Sequence, residues 1–407
     1  MPKTRNCSLP ARWPSSVRAD AWVRGTAKKL RVRVPRPDDP LFAWLGQLLV
    51  SEDDVTANLI EWLAKEKNGR AQFDAALDYG VETWANPPQG LAAFFNAVER
   101  RPAWADPEIV ALGCRVHQRL GLTGTMITGA LGLLAGYRNG AVAKTLVMTG
   151  SLTEAAKRRI DETSQFIADV YDSQGMARAS AGFKSAVRVR LVHAYVRRAM
   201  RRSPDWREDL YGSPISILDT LATAMQFWVP LVLAAPTFGY DLSRHECEAL
   251  MTLWNYVAFL QGVPEEALPQ RLEDAYRAYC AVWMLGPPAT SDSRTLGQAF
   301  LAAVSERGDV TSRARAKLFH GVAALLMPKR HRVDVGIENT IARIWPILLR
   351  PIVSYREQRR LRDPSFEREL IARGRAAIAD DLRSSQRLVT SFAPAKVVHN
   401  VALFLGS

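Results

Sequence analysis

Cysteine is scarce in these 407 residues: Cys7, Cys114, Cys247 and Cys280 stand far apart, with no Cys-x-x-Cys pair and no Cys/His spacing suited to zinc. A disulfide framework and a structural zinc site are therefore not what organises the fold, and the thiols read as reduced. Glycine-rich phosphate loops, the G-x-S-x-G elbow and the H-E-x-x-H helix are also missing, which leaves nucleotide folds, α/β-hydrolases and zincins without motif support. Alternating strand patterns and Asn-Gly or Asp-Gly hairpin signals are nearly absent, so a sheet is not expected. The opening "MPKTRNCSLPARWPSSVRAD" is basic but lacks an apolar stretch with a small-residue cleavage site. It reads as a leader and not a secretion signal, and a cytoplasmic location is the expectation.

What is present is apolar material and positive charge. At 48% hydrophobic the chain has enough for a substantial core, and its net charge of +13 favours contact with anions. The basic clusters "RRAMRR" (197–202) and "KRHR" (329–332) come with no helix-turn-helix or RNA-module signature, so nucleic acid is not an expected partner. Apolar residues recur at three- and four-residue spacing from about residue 40 onward, which predicts an all-α fold. Capping-box patterns mark two starts, Ser151 with Glu154 and Ser243 with Glu246. Residues 1–38 are expected to form an irregular basic leader, 39–350 one helical core, and 351–407 charged C-terminal helices packed on it.

The longest uncharged run, "TLATAMQFWVPLVLAAPTF" (220–238), approaches the roughly 20 residues that span a bilayer. Pro230 and Pro236 are expected to interrupt it, and Gln226 and its threonines dilute it, so a buried segment is the reading and integral membrane insertion is not expected. The glycine-rich run 121–137 is read in the same way.

Two helices could hold chemistry. At roughly 100° per residue, Ala186, Val189, Val192, Val196, Ala199 and Met200 share an apolar arc with His193, while Arg190 and Arg197 lie along one flank. A histidine so placed is either a satisfied core residue or a metal ligand. The flanking arginines suit either a solvated face or the carboxylates of a bound group. On the helix after Ser151, Leu152, Ala155, Ala156, Phe166, Ile167 and Val170 form one face with Arg159 and Thr163 in its middle and Glu162 at its edge. Polar groups there need partners, either an internal salt bridge or a polar pocket facing a ligand.

"RVRLVHAYVRR" around His193 resembles the histidine helix of the latex-clearing proteins, the bacterial rubber oxygenases, and of the wider oxygenase family that includes the fungal enzyme of mycophenolic acid biosynthesis. "RPAWADPEIVALGCRVHQRLGLTG", "KTLVMTGSL" with "RRIDETSQFIADV", and "WNYVAFLQGVPEEALP" resemble further blocks of that family in the same order, over roughly residues 70 to 300. The resemblance implies a single globin-like helical bundle around one haem b. It places His193 on the iron ligand, Arg190 and Arg197 beside the haem, and Arg159 and Thr163 in the distal pocket, with Glu162 a possible acid or base. The implied activity is haem-dependent oxidation of an apolar small molecule by dioxygen or peroxide. Rubber-cleaving members carry Lys where Glu162 stands, and Arg and Gly where Asn255 and Ala258 stand; they are also exported. Polyisoprene is therefore not the expected substrate. The rival reading is a non-catalytic helical protein that binds lipid, anionic membrane or a partner through its basic faces.

Overall fold

Short capping signals set where the helices begin. Carboxylate side chains at Asp20, Asp39, Asp53 and Asp106 accept the first free backbone N–H groups of α1 (Ala21–Leu30), α2 (Pro40–Leu49), α3 (Asp54–Leu63) and α6 (Pro107–Ile127). Pro40 and Pro107 stand at first helical positions, where a missing N–H costs nothing. Between them lie α4 (Gly69–Tyr79) and α5 (Gln89–Glu99). The computed structural model describes residues 9–148, 154–172, 176–305 and 310–386. Among these there are helices and turns and no strand, as the periodicity predicts.

After α6 come a π-helical segment (Thr128–Leu134), α7 (Gly140–Met148), α8 (Glu154–Val170), α9 (Ala181–Arg202), the short α10 (Glu208–Tyr211) and α11 (Ile217–Phe238). Then follow α12 (Arg244–Leu260), α13 (Leu272–Leu285), α14 (Ser291–Ser305), α15 (Val310–Leu326), α16 (Lys329–Asp334), α17 (Trp345–Arg360) and α18 (Pro364–Gln386). The capping box of α12 forms as read, with Ser243 and Glu246 bonding reciprocally. Ser151 lies outside the described residues. An unforeseen third box, Ser216 with Asp219, starts α11.

α11 is the central rod, enclosed by α2, α12, α13, α17 and the π segment. The expected interruption does not occur: α11 is one helix that includes Pro230 and Pro236. Pro230 leaves the Gln226 carbonyl without its helical N–H partner. Gly132 of the π segment packs on that carbonyl so closely that a Cβ there would lie 2.8 Å from the oxygen. Tight neighbours keep the helix continuous where local propensity alone would let it break. α6–π segment and α11 are each long and apolar enough to cross a membrane, but most of each is buried within the fold.

Two expectations about the ends need correction. The leader 1–38 is not irregular throughout, because α1 occupies Ala21–Leu30 and buries Val23 and Ala27 against Cys280 of α13. Arg12 is also tied down, by an ion pair with Asp219 at 2.9 Å. At the other end, the boundary drawn at 350/351 falls inside α17. α18 lies along α6, where Gly121, at φ +53°, faces Gly374; a Cβ on Gly374 would meet the Gln118 carbonyl at 1.8 Å, so only glycine permits this crossing. A buried cluster of Arg119, Glu246, Glu357, Arg360 and Glu367 joins α6, α12, α17 and α18.

Candidate functional site

Ser180 caps α9 by accepting from the Phe183 N–H at 3.2 Å, and this start fixes which side of α9 faces inward. Val189, Val192, His193 and Val196 of α9 form one wall of a cavity of about 370 Å³. Arg159, Glu162, Thr163 and Phe166 of α8, which packs beside α9, form another. Four of the six candidate residues therefore meet at one chamber. Tyr137, Phe227 and Trp254 complete the apolar lining. Phe227 and Trp254 stack at 4.7 Å, and the Trp254 indole N–H donates to the Tyr171 hydroxyl at 2.7 Å.

Burial pushes His193 down to about 4, with the Arg197 charge adding to the effect, so the imidazole is neutral near pH 7. Its Nδ1 is buried without a hydrogen-bond partner. A buried imidazole that the protein does not satisfy, facing a chamber, differs from an ordinary core histidine. On the same cavity, Arg159 donates to the Leu146 carbonyl at 2.5 Å and feels Tyr137 and Glu162. Glu162 is half-buried and lies 3.5 Å from Arg158. Burial raises its carboxyl above the usual range; Arg158 and Arg159 oppose that rise and Asp161 adds to it.

Arg190 and Arg197 sit elsewhere. Neither lines the chamber. Arg190 grips Asp53 through two bonds of 2.7 Å, donates to the Thr56 hydroxyl at 2.8 Å and lies 5.2 Å from the Phe94 ring. Burial alone would raise Asp53, but the Arg190 charge and the hydrogen bonds from Arg190 and Thr56 hold it below the usual carboxylate range. Arg197 donates to the Ile215 carbonyl at 2.6 Å. The reason is visible at Gly262, φ +95°: a Cβ there would lie 2.6 Å from Asp53 Oδ2, so the "QGV" turn leaves room for the ion pair. Asp53 carries no local signal that would mark it as Arg190's partner, and Tyr137 is hidden in an uncharged run.

The separate sequence blocks come together. Arg101 lies 4.5 Å over the Tyr256 ring, and the Trp104 indole donates to Glu265 at 3.0 Å, joining "RPAW" to "WNYVAFLQGVPEEALP". Asn255 donates to the Pro269 carbonyl at 2.7 Å, and neither it nor Ala258 lines the chamber. Of the differences noted above, Glu162 is the one that faces the site.

A second cavity of about 390 Å³ shares Leu133, Ile160 and Phe300 with the first. It is lined by His117, which stacks on Tyr171 at 3.6 Å and has neither nitrogen hydrogen-bonded. Cys114, Cys247 and Cys280 are buried free thiols; Cys7 is outside the described residues. Among the described residues no group of three or more His, Cys, Asp or Glu could hold a bare metal ion. A lone imidazole is a poor site for a bare ion, but it suffices for a metal whose other ligands come with a cofactor.

Fold and chamber together define an all-helical protein, among the described residues, in which a neutral histidine and the polar side chains of Arg159, Glu162 and Thr163 line one cavity. The chain belongs to the family described as ER-bound oxygenase mpaB/B'/rubber oxygenase, catalytic domain, whose pattern matches residues 117–354. It is 25% identical over 281 residues to the rubber oxygenase of Streptomyces sp. (strain K30), a match that covers 66% of this chain and 66% of that protein, just under two thirds of its length. In fold it is similar to the latex clearing protein LCP in its closed state, with a TM-score of 0.56 and 18% identity over 87% of this chain and 89% of that one.

Proposed function

We propose that this chain is a haem-b-dependent oxygenase acting on an apolar small molecule other than polyisoprene, with dioxygen or peroxide as co-substrate. The observation that carries the reading is the meeting of neutral His193 with Arg159, Glu162 and Thr163 at one apolar chamber. Family membership supports it. The residues present fit a haem: His193 offers an unprotonated nitrogen, the walls about it are largely valine and aromatic, and Arg12, Gln226 and Gln261 add polar groups to the lining. A haem bound there would be held through His193 and would supply the redox chemistry.

The chain's own residues do the rest. The Arg159 guanidinium and Thr163 hydroxyl orient and hydrogen-bond an oxygen-bearing reactant opposite His193. Glu162, its carboxyl raised by burial, holds or releases a proton at the same wall. Val192, Val196, Phe166 and Phe227 exclude water and accept the apolar substrate. Arg190 acts at one remove, by fixing α9 to α3 through Asp53.

The test is the absorption spectrum of the purified protein with a pyridine haemochrome assay, repeated on His193→Ala. A Soret band in the unaltered protein and its loss in the variant, with helical circular dichroism retained, are expected. A colourless protein that takes up no added haemin, or a variant with a full Soret band, would overturn the reading. Incubation with polyisoprene latex in air should yield no appreciable carbonyl-ended oligomers. A lysine-to-glutamate difference changes the local charge by two units where negative charge on oxygen must be stabilised, so Glu162→Lys is the variant in which such products are to be sought.

A further inference from the structure

Elsewhere in the molecule the large apolar side chains mostly turn inward; on α17 they turn out. The inward side of α17 is carried by Pro346, Glu357 and Arg360, and by Ser354, which donates to the Gly239 carbonyl at 3.3 Å. At roughly 100° per residue, Ile344, Trp345, Leu348, Ile352 and Tyr355 fall on the opposite side within an arc of roughly 100°. Trp345 is 61%, Leu348 59% and Tyr355 65% exposed, and Ile341, on the turn just before, is 83% exposed. Single exposed apolar residues are ordinary, but a continuous strip along a whole helix is a contact surface.

The charge on this segment selects the partner. Between Asn339 and Arg356 there is no acidic residue, whereas Arg343, Arg350 and Arg356 are all exposed. Arg350 and Arg356 have no carboxylate partner among the described residues, and Arg343 bonds only the Asn339 side chain, at 3.3 Å. Trp345 and Tyr355 stand ten residues apart, about 15 Å along the axis, at the two ends of the strip. Aromatic rings of this kind suit a boundary that is apolar on one side and polar on the other. A second copy packed two-fold on this face would set the arginines against one another with no carboxylate to offset them. The chain after Gln386 has no acidic residue either, and so brings no counter-charge.

We propose that α17 and the turn Ile341–Ile344 are a peripheral docking surface for an anionic lipid bilayer. The apolar strip rests at the headgroup–acyl boundary and the three arginines meet lipid phosphates, without any segment crossing the membrane. The proposal is independent of the haem assignment.

The experiment is flotation of the full-length protein with vesicles of phosphatidylcholine alone and of phosphatidylcholine mixed with phosphatidylglycerol. Binding to the mixed vesicles is expected to be on the order of tenfold tighter and to weaken with added salt. The triple variant Trp345→Ser, Leu348→Ser, Ile352→Ser should bind on the order of a hundredfold more weakly while melting at the same temperature. Equal vesicle binding by the variant and the unaltered protein would overturn the proposal. So would a concentration-dependent dimer, lost in the variant, from a protein that ignores vesicles; that result would assign the face to a second copy. A variant that melts lower, beside an unaltered protein that ignores vesicles, would assign the face to the chain's own C-terminal segment.

Discussion

Two groups of polar side chains on α9 and its neighbours, one buried and one half-buried, are completed in different ways. Arg190, Asp53 and Thr56 satisfy one another, with the guanidinium, carboxylate and hydroxyl all bonded within the protein. His193, Glu162 and Thr163, with Arg159, border a cavity instead, and the imidazole Nδ1 has no partner. A closed polar cluster contributes to holding the fold, whereas an open one is available to something that enters. The same helix therefore carries a closed ion-pair cluster on one side and borders a cavity on the other, although its arginines look alike in sequence.

Breaking the closed cluster should have the largest effect on stability. Arg190→Leu leaves Asp53 buried and unpaired, and is expected to cost about 3–5 kcal/mol by denaturant unfolding. Adding Asp53→Leu should recover part of that loss, since the stranded charge is then gone. Arg159→Leu should cost less than Arg190→Leu while abolishing activity. The reverse ranking would erase the distinction between the two groups.

Acid should expose the buried histidines next. Burial lowers His193 to about 4, His117 to about 3 and His331 to about 4, with neighbouring arginine charge contributing at His193 and His331. All three are neutral when folded and take up a proton near pH 6.5 when unfolded. The unfolded state binds more protons in that window, so stability is full above about pH 6.5 and falls as pH drops toward 4. The expected loss between about pH 7 and about pH 5 is roughly a few kcal/mol, read from urea midpoints. Asp53, whose carboxyl is depressed, contributes separately and only below about pH 4. His117→Phe keeps a ring against Tyr171 and should flatten the profile without lowering stability at neutral pH. An unchanged profile would mean that His117 does not titrate with folding.

Smaller effects test the wall behind the chamber. Asn255→Leu removes the bond to the Pro269 carbonyl and should cost about 1–3 kcal/mol, leaving any Soret band in place. Smallest of all is Glu162→Gln. Its pair with Arg158 is partly exposed, so stability should change by under about 1 kcal/mol. If Glu162 moves a proton, the pH dependence of activity should change even though the melting temperature does not. A fall in both together would recast the residue as structural.

Much of this was legible before any coordinates. The helical period, the cap at Ser243 and the apolar arc around His193 depend on residues three or four apart, which a linear chain displays. The polar positions Arg159 and Thr163 stood out because they interrupt an apolar face, and they do line the cavity. The resemblance places Arg190 beside the haem; the carboxylate it grips in the structure, Asp53, is 137 residues away and could not be paired with it from the sequence. α1 was missed because its short, basic sequence is held by packing against Cys280 and not by strong propensity.

Two proline-containing helices mark the limit of such reading. α11 and α17 both contain proline and large aliphatic side chains, yet most of α11 is buried and α17 shows its strip to solvent. By itself the sequence determined helix, period, charge and family, since these rest on local spacing and ordered blocks. Which arginine meets an aspartate, which histidine faces a void and which apolar face stays uncovered were decided by tertiary packing alone. Burial is a property of what lies opposite, and residues far apart in the chain supply that.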